Sequence, residues 1–217
     1  MEKGNTMSLL TRFSFASITG ATLALTSFAS GAAITPGQTA IAVNENNPVG
    51  GTTVSQSQPF ATANYTGTLI SSVITGDTSN TLGGLTFTYQ LVNDAGSANA
   101  LTRLTVNGFI GYATDMSYKL GTGGLAPTYN DRDASGGVAA FTFFGQPIGL
   151  GTLSAGTTSE LLVIQTNALS SRTVIANISN GAVSPVNAFG PAGAISPEPA
   201  TLASLAVGAA LLRRRRA

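Results

Sequence analysis

Along the middle of the chain, apolar and polar residues alternate in short runs. The alternation is cleanest in Leu85-Thr86-Phe87-Thr88-Tyr89-Gln90-Leu91. Leu85, Phe87, Tyr89 and Leu91 fall on one side of an extended chain, and Thr86, Thr88 and Gln90 on the other. Asn93-Asp94-Ala95-Gly96-Ser97 then supplies the turn chemistry that ends the run. Similar β-branched and aromatic runs predict strands over Ala40–Val43, Ala61–Tyr65, Gly67–Ile74, Leu101–Asn107, Gly111–Leu120, Gly137–Phe144, Glu160–Thr166 and Thr173–Ser179. The polar stretch from Pro36 to Pro59 adds one or two edge strands. Short strands joined by turn-length connections predict an all-β fold, a single antiparallel β-sandwich of about eight or nine strands. No fixed repeat period is present, which disfavours a β-solenoid.

Both ends break this pattern. At the N-terminus, Lys3 and Arg12 precede an apolar stretch from Phe13 to Phe28, followed by the small residues Ala29-Ser30-Gly31-Ala32-Ala33. This is the layout of a secretory signal peptide over residues 1–33, with its own helix and cleavage by signal peptidase after Gly31, Ala32 or Ala33. At the C-terminus, Ser196-Pro197-Glu198-Pro199 precedes an apolar run, Ala200–Leu212, closed by Arg213, Arg214, Arg215 and Arg216. A helix over this run rises only ~20 Å, short of the ~30 Å hydrocarbon core of a bilayer. The four arginines stop transfer and hold the end on the cytoplasmic side. The prolines break any helix before the apolar run. The sequence therefore divides into a signal peptide (1–33), a β domain (34–180), an Ala/Gly/Pro-rich linker (181–196) and a terminal sorting segment (197–217).

The tail formed by Pro197, Glu198, Pro199, the span Ala200–Leu212 and Arg213–Arg216 resembles the PEP-CTERM sorting signal of bacterial exported proteins. The resemblance implies that a membrane cysteine protease, exosortase, reads the Pro-Glu-Pro motif and processes the tail. It implies passage across the inner membrane, transient anchoring there by the C-terminal span, and then residence at the cell surface or in an exopolysaccharide or biofilm matrix. The catalytic residues belong to the processing enzyme, of which this chain is the substrate. The middle, from Tyr65-Thr66-Gly67-Thr68-Leu69 through Gly84–Gln90 to Tyr118, is similar to the strand-rich domain of uncharacterised members of that group.

Composition narrows the chemistry. The 217 residues contain no Cys, His or Trp. Disulfides, Cys/His zinc sites, a nucleophilic Cys and a Ser-His-Asp triad are excluded. The formal charge of +1 for the whole chain comes from its ends. Residues 34–196 carry four bases (Arg103, Lys119, Arg132, Arg172) and seven acids (Glu45, Asp77, Asp94, Asp115, Asp131, Asp133, Glu160), a net charge of −3. No nucleic-acid partner is expected.

Three candidate sites remain. Asn130, Asp131, Asp133 and Ser135, with Gly136 following, place oxygens as in the opening of an EF-hand-like calcium loop. The closing position falls on Thr142, which lacks the expected carboxylate, and Arg132 adds a positive charge. Apart from calcium there, no cofactor is expected. Tyr112, Tyr118 and Tyr129 could form a glycan platform, with Tyr112 and Tyr118 on one face of an unbroken strand. Such a platform would make the domain a carbohydrate-binding module. Carboxylates for glycoside hydrolysis could come from Asp94, Asp115, Asp131, Asp133 and Glu160. Of these, Asp94 and Asp131 read as turn residues, and Glu160 reads as a solubilising charge at a strand start. The expectation is a non-enzymatic protein whose Thr-, Ser-, Asn- and Gln-rich strands face polysaccharide or like chains.

Overall fold

The computed structural model describes residues 33–144 and 151–192. The N-terminal signal segment up to residue 32 and the sorting tail, with their two expected helices, lie outside the described residues.

The described chain is all-β. Its strands are β1 (Thr39–Ile41), β2 (Thr52–Ala61), β3 (Thr66–Thr75), β4 (Thr86–Asn93), β5 (Arg103–Asn107), β6 (Thr114–Lys119), β7 (Tyr129–Arg132), β8 (Val138–Thr142), β9 (Leu161–Thr166), β10 (Ser170–Asn180) and β11 (Ala182–Ala192). They form a six-stranded sheet, β1-β7-β8-β5-β10-β11, and a five-stranded sheet, β2-β3-β4-β9-β6. Every pairing between these strands is antiparallel. The arrangement is a β-sandwich of eleven strands, more than the eight or nine expected.

The core lies between the sheets, and the period-two pattern fills it. In the five-stranded sheet, Leu69, Tyr89 and Leu91, Phe87, Leu162, Ile164 and Met116 point inward. Leu104, Val106, Phe141, Ala139, Ala176 and Ile178 meet them from the other sheet. Phe87 and Phe109 pack edge to face, with centroids 6.1 Å apart. Each large side chain buried in this way contributes roughly 1.5–3 kcal/mol.

Three strands depart from the sequence expectation. The run Ala61–Tyr65 is mostly the β2–β3 turn. The Thr62 hydroxyl accepts from the Asn64 and Tyr65 amides there, so local side-chain capping outweighs strand propensity. β7 takes Tyr129–Arg132, part of which reads as a turn, because its two ladders to β1 and β8 supply pairing that the sequence does not display. The greatest departure is residues 181–196. Residues 182–192 are no linker but the full-length edge strand β11, paired with β10 from Ser170↔Ala192 to Asn180↔Ala182. The β domain thus extends to residue 192. Gly181 turns the hairpin at φ 74°, where a side chain would be strained. Pro185 and Pro191 are tolerated because an edge strand leaves one row of N–H positions unused.

Residues 33–44 close one flank of the sandwich. Ile34 donates to the Thr114 carbonyl of β6 (3.1 Å), β1 then pairs with β7, and the Val43 carbonyl returns to accept from Tyr118 of β6 (3.0 Å). Ile34 is buried in the core, so the domain is built from the first residues after the expected cleavage region.

Candidate functional site

The residues of the expected calcium loop do not converge. Strand alternation in β7 turns Asn130 and Arg132 inward and Asp131 outward. Asn130 is buried and donates through Nδ2 to the Met116 carbonyl of the facing sheet at 2.9 Å. Asp131 is no turn residue. It is held by Arg103 of β5 in a two-pronged ion pair, with contacts of 2.8 and 2.5 Å. Asp133 accepts from the Ser135 hydroxyl (2.6 Å) and the Val138 amide (2.9 Å), which closes the β7–β8 turn upon itself. These bonds hold the Asp133 carboxyl below its ordinary range. A calcium loop needs positions 1, 3 and 5 to curl toward one point, whereas here Asp131 is drawn across the sheet to Arg103, and Asp133 and Ser135 bond to each other within the turn.

The tyrosines are not assembled into a platform either. β6 begins at Thr114, so Tyr112 lies in the preceding turn and does not share a strand face with Tyr118. Tyr112 is buried against Ala33–Pro36 and Arg132, lining a recess of about 300 Å³. Tyr118 packs partly buried on the core, and Tyr129 belongs to the other sheet.

The five carboxylates that hydrolysis could draw on are dispersed. Among the described residues, no three acids gather closely enough to hold a metal. Asp94 accepts from the Thr66 hydroxyl at 2.8 Å in an exposed turn. Glu160 is buried and is no solubilising charge. It accepts the Gly121 amide (3.3 Å), the Thr122 amide (2.8 Å) and the Thr122 hydroxyl, and so ties the 121–124 turn to β9. Gly124 sits so close to Ser159 that an added Cβ would lie 2.2 Å from the Ser159 carbonyl group. Burial pushes the Glu160 carboxyl up, but the hydrogen bonds from Thr122, Gly121 and Gly124 outweigh it and the net shift is downward.

A carboxylate lowered on folding stabilises the protein above its unfolded pKa, and that stabilisation is lost as pH falls through the folded value. Glu160→Gln presents an NH₂ to the turn's donors. It is expected to cost about 2 kcal/mol at neutral pH, the scale of hydrogen bonds to a charged group. The deficit should shrink as pH falls below the ordinary glutamate range and through the lowered folded value, where the wild-type carboxyl also protonates. Urea denaturation at neutral and acidic pH checks both; an unchanged midpoint at neutral pH contradicts the assignment.

Two surfaces remain as places for a partner. One is a cleft of about 480 Å³ lined by Gly123, Gly124 and Leu125 and by the hydroxyl side chains Thr152, Ser154, Thr157 and Thr158, with no charged group. The other is the free edge of β2. β2 carries no charge, most of Thr52–Gln58 is exposed, and the one proline of the strand, Pro59, lies near its end. Natural edge strands usually guard their unpaired N–H and C=O groups with Lys, Pro or a bulge. β11, the edge strand of the other sheet, does have two prolines. The sequence signal for the β2 edge was the polar, uncharged run itself, without a period that would fix its register.

What the described residues define is an all-β sandwich of two antiparallel sheets, with a long uncharged edge strand in β2. Compared with known proteins, the chain matches no family model, no curated protein and no solved structure.

Proposed function

We propose that the chain is an exported, non-enzymatic protein of the cell surface or extracellular matrix, sorted and processed through its C-terminal Pro-Glu-Pro signal. The observation that carries the reading is the tail, with Pro197-Glu198-Pro199, a short apolar run and Arg213–Arg216 in that order at the chain terminus. During export the apolar stretches at the two ends act as short membrane helices, handled by signal peptidase and an exosortase-type protease. The matrix partner is polysaccharide or further copies of the chain.

The sandwich supports this reading in two ways. Its β2 edge is a long, uncharged row of Thr, Ser and Gln, suited to pairing or to hydrogen bonding with polyols. Its carboxylates Asp94, Asp131, Asp133 and Glu160 are engaged in turns and an ion pair, where they serve the fold.

Deleting residues 197–217 in a host that carries the processing protease tests the proposal. The intact chain should reach the surface or medium with a mass ending near Pro197–Pro199, and the deletion variant should not reach the surface. Unchanged surface delivery without the tail would overturn the sorting claim.

A further inference from the structure

Over β6 and β9, the outer face of the five-stranded sheet is not open to water. An antiparallel sheet of a sandwich commonly leaves that face polar and solvated. Here Asp115 is 4% exposed, and Ser117 and Gln165 are 0% exposed. Asp115 and Gln165 are direct cross-strand neighbours, and Ser117 is two residues along β6 on the same face. Their side chains therefore project together, away from the core.

The cover is the segment 43–49, which crosses this face as a strap. At one end, Tyr118 donates to the Val43 carbonyl and Leu120 to Asn44 Oδ1, both at 3.0 Å. At the other, Val49 donates to Asp77 Oδ1 at 2.9 Å, and Thr78 donates to the Val49 carbonyl at 3.0 Å. Between these clamps, Glu45 and Asn46 lie close to Asp115. Burial raises the Asp115 pKa, the Asn46 amide partly opposes it, and the Glu45 charge adds to it.

Four oxygens at the strap have no hydrogen-bond partner within ordinary distance, Asp115 Oδ1, Glu45 Oε2, Ser117 Oγ and Gln165 Oε1, and Asn46 Nδ2, the one donor beside Asp115, is likewise buried and unmatched. Buried polar atoms are paired in the great majority of cases, so four together point to a missing common partner. Two of the four belong to carboxyl groups. Lys119, farther along the same face of β6, makes no ion pair with them, and the ion pair among the described residues is Arg103–Asp131 on the other sheet. Asp77, beyond Gln165, is already occupied by Thr86, Ser79 and Val49.

We propose that the buried polar cluster beneath the 43–49 strap is a calcium site, with Asp115 and Glu45 as charged ligands and Ser117 and Gln165 as neutral oxygen ligands. An all-oxygen set without nitrogen or sulfur suits a hard cation, and a mixture of charged and neutral donors on two different elements suits calcium better than the rigid octahedron of magnesium. Two carboxylates balance the ion's charge. The ion pins the strap to the sheet, joining the N-terminal segment to β6 and β9. This site is separate from the 130–135 turn.

The test is calorimetric titration of CaCl₂ into the full chain, purified in mild detergent and stripped with chelator, with thermal unfolding followed in parallel. One equivalent should bind, with a dissociation constant between about 10⁻⁵ and 10⁻³ M. Calcium should raise the melting temperature, and magnesium should bind at least about tenfold more weakly. Glu45→Gln lies on the strap, outside the core, and should weaken calcium binding at least about tenfold while unfolding stays cooperative. Asp115→Asn should abolish binding, and Asp133→Asn should leave it unchanged. Absence of both heat and melting shift at millimolar calcium would overturn the proposal and leave a water or a shared proton between the two carboxyls. Binding that survives Glu45→Gln and Asp115→Asn but is lost in Asp133→Asn would overturn it in favour of the β7–β8 turn.

Discussion

A chain ended at Gly181 is expected not to fold, whereas one ended at Ala192 keeps every described strand. β11 pairs with β10 along its whole length. It buries Val186 and Ala188 against the core and sets Ser184 and Gly190 on the same face. Its loss also strips partners from side chains that stay behind. The buried Tyr89 hydroxyl donates to the Phe189 carbonyl at 2.7 Å, and Tyr65 Oη lies 2.9 Å from both the Ile178 and Ala182 carbonyls. Burial raises the Tyr89 pKa strongly, so this phenol cannot escape its need by ionising. An orphaned buried hydroxyl costs about 1–3 kcal/mol. Uncovering the Val186 and Ala188 contacts and the strand beneath them costs several more, at roughly 25 cal/mol per Å². Together these approach the whole stability of a typical domain, about 5–15 kcal/mol. Far-UV circular dichroism with thermal melting decides it. A cooperative melt of the chain ended at Gly181, within a few degrees of the longer one, would mean that β11 is dispensable.

The second large effect is expected at Arg132. Its side chain is 5% exposed and its guanidinium serves backbone carbonyls, with bonds to Ile34 (3.2 Å), Phe109 (3.0 Å) and Gly136. Burial lowers its pKa, and the nearby Asp133 charge opposes that change. The guanidinium thereby adds a side-chain tie among the N-terminal flank, the turn after β5 and the β7–β8 turn, beside the backbone bonds Phe109 N–H to Gly137 O (3.0 Å) and Gly37 N–H to Asp133 O (2.9 Å). Arg132→Met keeps much of the apolar stem but removes this donor from three carbonyls, of which Ile34 still accepts from the Thr114 hydroxyl (3.4 Å) and Phe109 from the Tyr112 amide (3.1 Å). With the Gly136 carbonyl left unmatched and two charge-assisted bonds lost, the expected cost is about 2–3 kcal/mol. Arg132→Lys retains the charge but not the fork geometry, and should recover only part of the loss. Urea denaturation at neutral pH measures both. A cost under about 1 kcal/mol for Arg132→Met would show that the guanidinium does not clamp these segments.

The same arginine shows why site reading from sequence stopped where it did. In the string Asp131-Arg132-Asp133, it is an awkward charge inside a calcium-like motif. In the fold it is the residue that matters most there, because β7 turns it inward while Asp131 turns out to Arg103. A motif fixes spacing along the chain, but convergence of ligands depends on whether the segment is strand or loop. Here that was decided by ladders to β1 and β8, from residues far away in sequence. Glu160 is similar. Its position before an apolar run suits a solvated strand start, and only the approach of the 121–124 turn makes it a buried acceptor. Glu45 had one local signal, as the single charged residue between Ile34 and Gly76. Nothing local placed it over Asp115.

The sequence by itself determined the all-β class and the inward face of strands such as β4. These are local properties, since period-two alternation and turn chemistry are each written within a few adjacent residues. Only the tertiary structure decided that residues 182–192 are a strand, that the outer sheet face over β6 and β9 is roofed by the 43–49 strap, and that the candidate tyrosines lie apart. β11 is made of small residues and prolines whose strand propensity is weak, and its pairing energy comes from β10 and its burial from the facing sheet. The strap is held at each end by a pair of hydrogen bonds to distant elements, and such contacts have no period along the chain from which to be read.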